Sequence, residues 1–117
     1  MTHDELVEKY PKILDNARGY PGVGKGWLPL IDALCEWLQF NTDKNSHIDY
    51  YATQVKAVQI KEKFGGLRFY VDNASDVQYA AISFAEHMSY HICEECGATG
   101  EIRGNGWLRT LCDEHAK

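Results

Sequence analysis

The last quarter of the chain carries the feature that most constrains its fold. Cys93-Glu-Glu-Cys96 and Cys112-Asp-Glu-His115 each hold two metal-ligating side chains two residues apart, with fifteen residues between the pairs. A C-x2-C turn aims two sulfurs to one side of a tight loop, and a second pair can close a tetrahedron around one ion. Gly97 follows Cys96 directly, where such loops often need a left-handed residue. Four protein ligands leave no open position, so the expected role is structural zinc (Zn2+) rather than a catalytic ion. The expected ligands are Cys93, Cys96, Cys112 and His115, with His91 as the rival for the fourth place. Free thiols or a disulfide are the alternative, and the ligand spacing argues against both.

The 117 residues suit a single domain, 1-117, read as a helical and hairpin core over 1-92 and a zinc subregion over 93-117. A chain this short buries a modest core, so a metal staple has physical value. The formal charge of −5 makes bulk nucleic acid an unlikely partner, since such binding needs a broad positive footprint. The first residues are charged rather than apolar, and no apolar run reaches membrane-spanning length. These features lead us to expect a protein of a reducing cytoplasm. Cys35 lies in an apolar helical pattern and is expected to be a small core residue.

Periodicity gives three helices and a hairpin. Thr2 and Glu5 fit a capping box, and Leu6, Val7, Tyr10, Ile13, Leu14 and Ala17 recur at helical spacing, interrupted at Pro11. The segment Gly19–Gly26 matches no full phosphate-binding pattern and reads as a flexible connector. Trp27 to Phe40 reads as a second helix with Leu30, Ile31, Leu34, Cys35 and Leu38 on its stripe and Trp27 and Trp37 beside it, and Asn41 to Asp49 as a loop. Val55 to Phe64 and Leu67 to Val71 are strand-like runs about a Gly65-Gly66 turn. Asp76 to about His91 reads as a third helix with Val77, Ala80, Ala81, Phe84 and Met88 directed inward. Ile102 and Trp107 to Leu111 are expected to form a small hairpin within the zinc segment. The fold class is therefore α+β: three helices packed on a β-hairpin, with a C-terminal finger of zinc-ribbon or treble-clef type.

A two-residue turn at Gly65-Gly66 would pair Phe64 with Leu67, Lys63 with Arg68, Glu62 with Phe69, and Lys61 with Tyr70. Alternation then places Val58, Ile60, Glu62, Phe64, Leu67, Phe69 and Val71 on the core face. The other face carries Gln59, Lys61, Lys63, Arg68 and Tyr70. Like charges directly opposite on antiparallel strands are destabilising, which an anion or acidic partner would relieve. Tyr70 offers a stacking surface. The plainer reading is a solvated sheet face with acidic neighbours. There is no Ser-His-Asp arrangement, no catalytic carboxylate pair and no H-E-x-x-H, so nothing in the chain points to an enzyme.

The run Gln59-Ile-Lys-Glu-Lys-Phe-Gly-Gly-Leu-Arg-Phe-Tyr70 resembles the hallmark of a group of small, mostly uncharacterised phage and prophage proteins. Tyr10-Pro11, Gly26-Trp27 and the ending from Cys93 to His115 are similar to the same group, so the resemblance spans most of the chain. It departs at Gly22–Gly26, where the group has an acidic or cysteine-containing segment. The resemblance implies a mobile-element origin and a bacterial host cytoplasm. Small accessory phage proteins often act against host defence by binding a host protein or sequestering a signalling nucleotide, and that is the function expected here. The alternatives are a zinc-finger regulator that binds nucleic acid, and an enzyme of unrecognised type.

Overall fold

In the computed structural model, residues 1–45 and 54–117 are described. Helix α1 spans His3–Lys9, and Thr2 and Glu5 cap it reciprocally as expected. It stops at Tyr10, the residue before Pro11, because proline disfavours the helical region for its predecessor. Pro21–Gly22 form a short strand, β1, and a single 3-10 turn at Lys25–Trp27 leads into α2, Leu28–Lys44. The helix runs four residues beyond Phe40, so Asn41 to Lys44 are helical rather than loop. The rest of that expected loop, 46–49, lies outside the described residues. Strands β2 (Lys56–Lys63) and β3 (Gly66–Asp72) precede α3, Asp76–Ser89, and the short strands β4 (Glu101–Arg103) and β5 (Arg109–Leu111). The architecture is α+β, with one three-stranded sheet ordered β1-β2-β3 and one two-stranded sheet. No helix among the described residues is long and apolar enough to cross a membrane.

The hairpin turn sits one residue earlier than the glycine pair suggested. Phe64 and Gly65 occupy it with φ of 54° and 85°, the double left-handed geometry of a type I′ turn. The register is therefore Lys63 with Gly66, Glu62 with Leu67, Lys61 with Arg68, Ile60 with Phe69 and Gln59 with Tyr70. Lys63 does not oppose Arg68; Lys61 does. Gly66 is free of the turn for a packing reason: a Cβ there would lie 2.3 Å from the Tyr90 ring. Moving the turn by one residue shifts each cross-strand partner by two. Between the turn and the bulge, from Gln59 to Lys63 and from Leu67 to Val71, the two faces therefore keep their members despite the changed pairing. A bulge at Val58 switches the phase at the far end: Ala57 pairs with Val71 and takes the buried place expected of Val58, which is only half-buried.

Leu67, Phe69, Ile60 and Ala57 point from the sheet into a core shared with Leu6, Ile13, Leu14, Trp27, Ile31, Leu38 and Ile82. Phe64 does not join them; at the turn it is exposed. Cys35 lies in this core, and burial pushes its thiol up from its ordinary value, as suits a packing residue. Helix α3 closes the open edge of β3 with side chains. Leu67 N–H donates to Ser89 Oγ at 2.9 Å and Phe69 N–H to Glu86 Oε2 at 2.8 Å. Helical spacing of three thus meets strand spacing of two, and the edge is shielded from further strand pairing.

That duty rotates α3 away from the expected orientation. Gln78, Ile82, Ala85 and Ser89 are the buried residues, while Val77, Ala80, Phe84 and Met88 face out and Ala81 is half-buried. Gln78 is satisfied inside by Thr42 Oγ1 at 3.0 Å and Asn41 Oδ1 at 3.2 Å. Ser89 is held by β3. Hydrogen-bond matching to the sheet edge and to α2, rather than apolar periodicity, sets which side of α3 turns inward.

Candidate metal centre and binding face

Helix α3 ends at Tyr90, and the chain enters a tight knuckle. Gly97 N–H donates to Cys93 O at 2.8 Å, Gly97 is left-handed at φ 85°, and Cys93 N–H donates to Ala98 O at 2.7 Å. Glu94 N–H reaches Thr110 O at 3.0 Å, which ties the knuckle to β5. The donor atoms of Cys93, Cys96, Cys112 and His115 all lie within 4.8 Å of one another. Cys96 Sγ is 3.7 Å from Cys112 Sγ, and His115 Nδ1 is 3.2 Å from Cys112 Sγ and 3.8 Å from Cys93 Sγ. A tetrahedral ion with metal–sulfur bonds of about 2.3 Å requires edges of about 3.8 Å, so the four residues could hold one metal ion. His91 is outside this cluster; its ring sits 5.6 Å from that of His87 on the helix surface.

The local electrostatics suit a cation. Backbone N–H donation near His115, followed by the His115 side chain, pulls the Cys112 thiol down to about 6. Burial opposes ionisation of Cys93, but the backbone amides of Cys112, Cys96 and Glu95 outweigh it and lower that thiol too. Thiolate is the ligating form, so Cys112 and Cys93 are biased towards it. Cys96, where the Ala98 amide is outweighed by burial and the neighbouring thiols, and His115, held protonated by Cys112, are shifted the other way and give up their protons only to a bound metal.

The Gly22–Gly26 segment is a dock for this knuckle, not a flexible connector. Gly26 N–H donates to Glu94 O at 2.8 Å, and Gly24 N–H to Glu94 Oε2 at 2.9 Å. A Cβ on Gly26 would come 2.1 Å from Cys93 O and 2.7 Å from Cys96 N. Trp27, fully buried, donates its indole N–H to Ile92 O at 2.8 Å. The Gly-Trp pair therefore seats the ligand loop on the main core. A second link runs from Thr110 Oγ1 to Gly65 O at 2.6 Å, which joins β5 to the hairpin tip. Glu62 closes that tip by accepting Gly65 N–H at 2.7 Å, which answers the need of a carboxylate on the core face for a partner.

On the opposite side of the sheet, Gln59, Lys63 and Tyr70 are exposed and Lys61 and Arg68 are half-buried. The structure thus gathers all five sequence-predicted binding residues on one face. Among the described residues no carboxylate lies within 4 Å of Lys61, Lys63 or Arg68. Lys61 Nζ stands 5.9 Å from the Tyr70 ring centre and Lys63 Nζ 5.6 Å from that of Phe64. Arg68 differs from the lysines: it donates to Leu67 O at 3.0 Å and to Tyr90 Oη at 3.1 Å, so part of its fork is spent within the fold.

Two aromatic side chains at this end are exposed against expectation: Phe64 is expected on the core face and Trp107 in a strand of the small hairpin. Phe64 lies at the turn with a backbone conformation rare for a bulky residue, and Trp107 is 82% exposed at the tip of the β4–β5 hairpin. They line one shallow cleft with Glu62 and Leu108. Trp107 also walls a broader one of about 660 Å³ that includes Lys61, Tyr20 and Arg109. The available signal was position: both residues sit in turns, where a large apolar side chain has no core to enter. No protein-family model, curated protein or solved structure matches the chain.

Proposed function

We propose that this protein is a zinc-stapled accessory binding protein of phage or prophage type that acts in the host cytoplasm by engaging an acidic surface of a host protein, as an antagonist of host defence would. Zinc is the ion that three thiolates and an imidazole suit best, and four protein ligands give it a structural role. The observation that carries the binding role is the sheet face itself. Lys61, Lys63 and Arg68 share it with no carboxylate of the described residues in reach, in a chain whose formal charge is −5. Exposed Phe64 and Trp107 border it and supply the apolar anchors that protein interfaces concentrate among basic residues. The openness of the clefts favours a protein surface over an enclosed small ligand such as a signalling nucleotide.

The finger offers little to nucleic acid. Arg103 pairs with Asp113 at 2.7 Å, and Arg109 pairs with Glu95 at 2.7 Å, so both arginines of the finger are already neutralised. The test is capture from host lysate on immobilised zinc-loaded protein, beside a Lys61→Ala/Lys63→Ala double variant. A host protein retained by the parent and lost with the variant, at unchanged melting temperature, is the expected outcome. Equal retention by both, or retention of nucleotide or nucleic acid alone, overturns the reading.

A further inference from the structure

The helical side of the molecule presents an apolar surface that the described residues leave exposed. On α3, Val77 is 60% exposed, Phe84 63% and Met88 38%; on α2, Phe40 is 61% exposed and Trp37 38%. Their spacing follows the helical repeat in both elements: 77, 80, 84 and 88 in one, 33, 37 and 40 in the other. The two helices run antiparallel. Trp27, at the start of α2, bonds to Ile92 beyond the end of α3, while Asn41 and Thr42, near the end of α2, bond to Gln78 in the first turn of α3. Helical geometry then puts Trp37 and Ala33 on the flank of α2 next to α3, and Val77, Phe84 and Met88 on the flank of α3 next to α2. The result is one continuous stripe across both helices rather than scattered side chains.

We infer that this stripe is the interface of a homodimer, with a second copy of the chain packed helix layer to helix layer. Three observations select that occupant. The first is size. The five large side chains alone expose on the order of 500 Å², at the upper end of the largest apolar patch on a typical monomer, about 300–600 Å². With Ala33, Ala80, Ala81, Leu30 and the bordering polar groups, the face approaches the roughly 800 Å² per partner of a stable interface. The second is charge. On α3 the side chains of the stripe, Val77, Ala80, Ala81, Phe84 and Met88, include no Asp, Glu, Lys or Arg, since Glu86 turns to the β3 edge. On α2 the exposed Glu36 and Lys44 flank it with opposite charges, so two copies can meet along α3 without like charges opposed. Depletion of charge at the centre is the mark of self-association rather than of steered, transient recognition. The third is constancy. A face this apolar must be covered from synthesis onward to stay soluble, and the one partner always present in equal amount is another copy. Antiparallel α2 and α3 across a two-fold axis would make a four-helix layer, with a sheet face free at either end of the dimer.

The experiment is sedimentation velocity on the full, zinc-loaded chain across roughly 0.5–100 µM, with Phe84→Glu and Trp37→Glu as test variants and Trp107→Ser as a control on the other side. Twice the chain mass is expected for the parent and for Trp107→Ser. The two test variants are expected to sediment as monomers, their dissociation constants raised at least 100-fold, with helical content and zinc stoichiometry retained. A parent that stays monomeric at 100 µM overturns the inference. So does a dimer that Phe84→Glu and Trp37→Glu leave intact, which would place the interface elsewhere, or a monomer that binds phosphatidylglycerol vesicles through this face. If both test variants misfold, Phe84→Ser and Trp37→Gln take their place, and unweakened self-association in those counts equally against it.

Discussion

The outward side chains of the sheet are Gln59, Lys61, Lys63, Arg68 and Tyr70; those of the helical layer include Val77, Phe84, Met88, Trp37 and Phe40. Both elements cover the same core, yet the sheet is polar outside while the helical layer carries an apolar stripe beside exposed polar residues such as Glu36, Lys44 and His87. On the sheet, alternation decides the faces from the turn to the bulge at Val58, and there they survive even when the turn moves by a residue. On α3 the side that turns inward carries Gln78 and Ser89 because those residues bond α2 and the β3 edge. Apolar residues go inside only where nothing stronger orients the element, and an apolar stripe left outside points to an interface.

Removal of the metal should have the largest effect and should separate the two regions. The knuckle, β5 and the hairpin tip are joined through Glu94, Thr110 and Gly65, so chelation should strip amide protection from Cys93 to Cys112 and from Gly65 to Leu67. Hydrogen exchange should find α2 and the middle of α3 still protected, and melting should fall by on the order of 10 °C or more. Uniform loss of protection would mean that the metal holds the whole chain rather than one end.

Two truncations test the inside–outside assignment directly. Leu67→Ala, at a fully buried site under the sheet, should cost about 2–5 kcal/mol. Phe84→Ala should cost no more than about 0.5 kcal/mol when urea unfolding is read well below the concentration at which copies associate. Comparable costs would put Phe84 in the core and remove the contrast.

The edge seal comes next. Ser89 Oγ accepts Leu67 N–H and donates to Glu86 O; Ser89→Ala leaves a buried amide unpaired and should cost about 1–3 kcal/mol by the same measurement. A neutral result would return α3 orientation to packing alone.

The smallest effects should lie on the basic face. Arg68→Ala should lose roughly 1 kcal/mol, because the guanidinium binds Tyr90 Oη and Leu67 O. Lys61→Ala and Lys63→Ala should stay within about 0.5 kcal/mol of the parent, and Lys61→Ala should tend towards stabilisation, since it removes a like charge opposite Arg68. Loss of stability from either lysine variant would mark those charges as structural.

Strand β1 was not legible in the chain, but the clustering of Cys93, Cys96, Cys112 and His115, the three helices and the strands β2 to β5 in their order, the capping box at Thr2 and the faces of the hairpin between its turn and its bulge were. Each rests on short-range geometry: two-residue ligand gaps, alternation with a period of two, and a cap that bonds three residues ahead. The hairpin turn was misplaced because two glycines offered two solutions. Gly66 is kept small by Tyr90, a residue distant in sequence, while Phe64 accepts the left-handed position. The role of Gly22–Gly26 was hidden for the same reason, since Gly26 is small to admit Cys93 and Cys96 some seventy residues on. Helix α3 misled most, because its apolar period is real but answers to the surface, while its inward side follows hydrogen bonds to β3 and α2. Contacts far apart in the chain leave no local period to read, and close approach and edge sealing are such contacts.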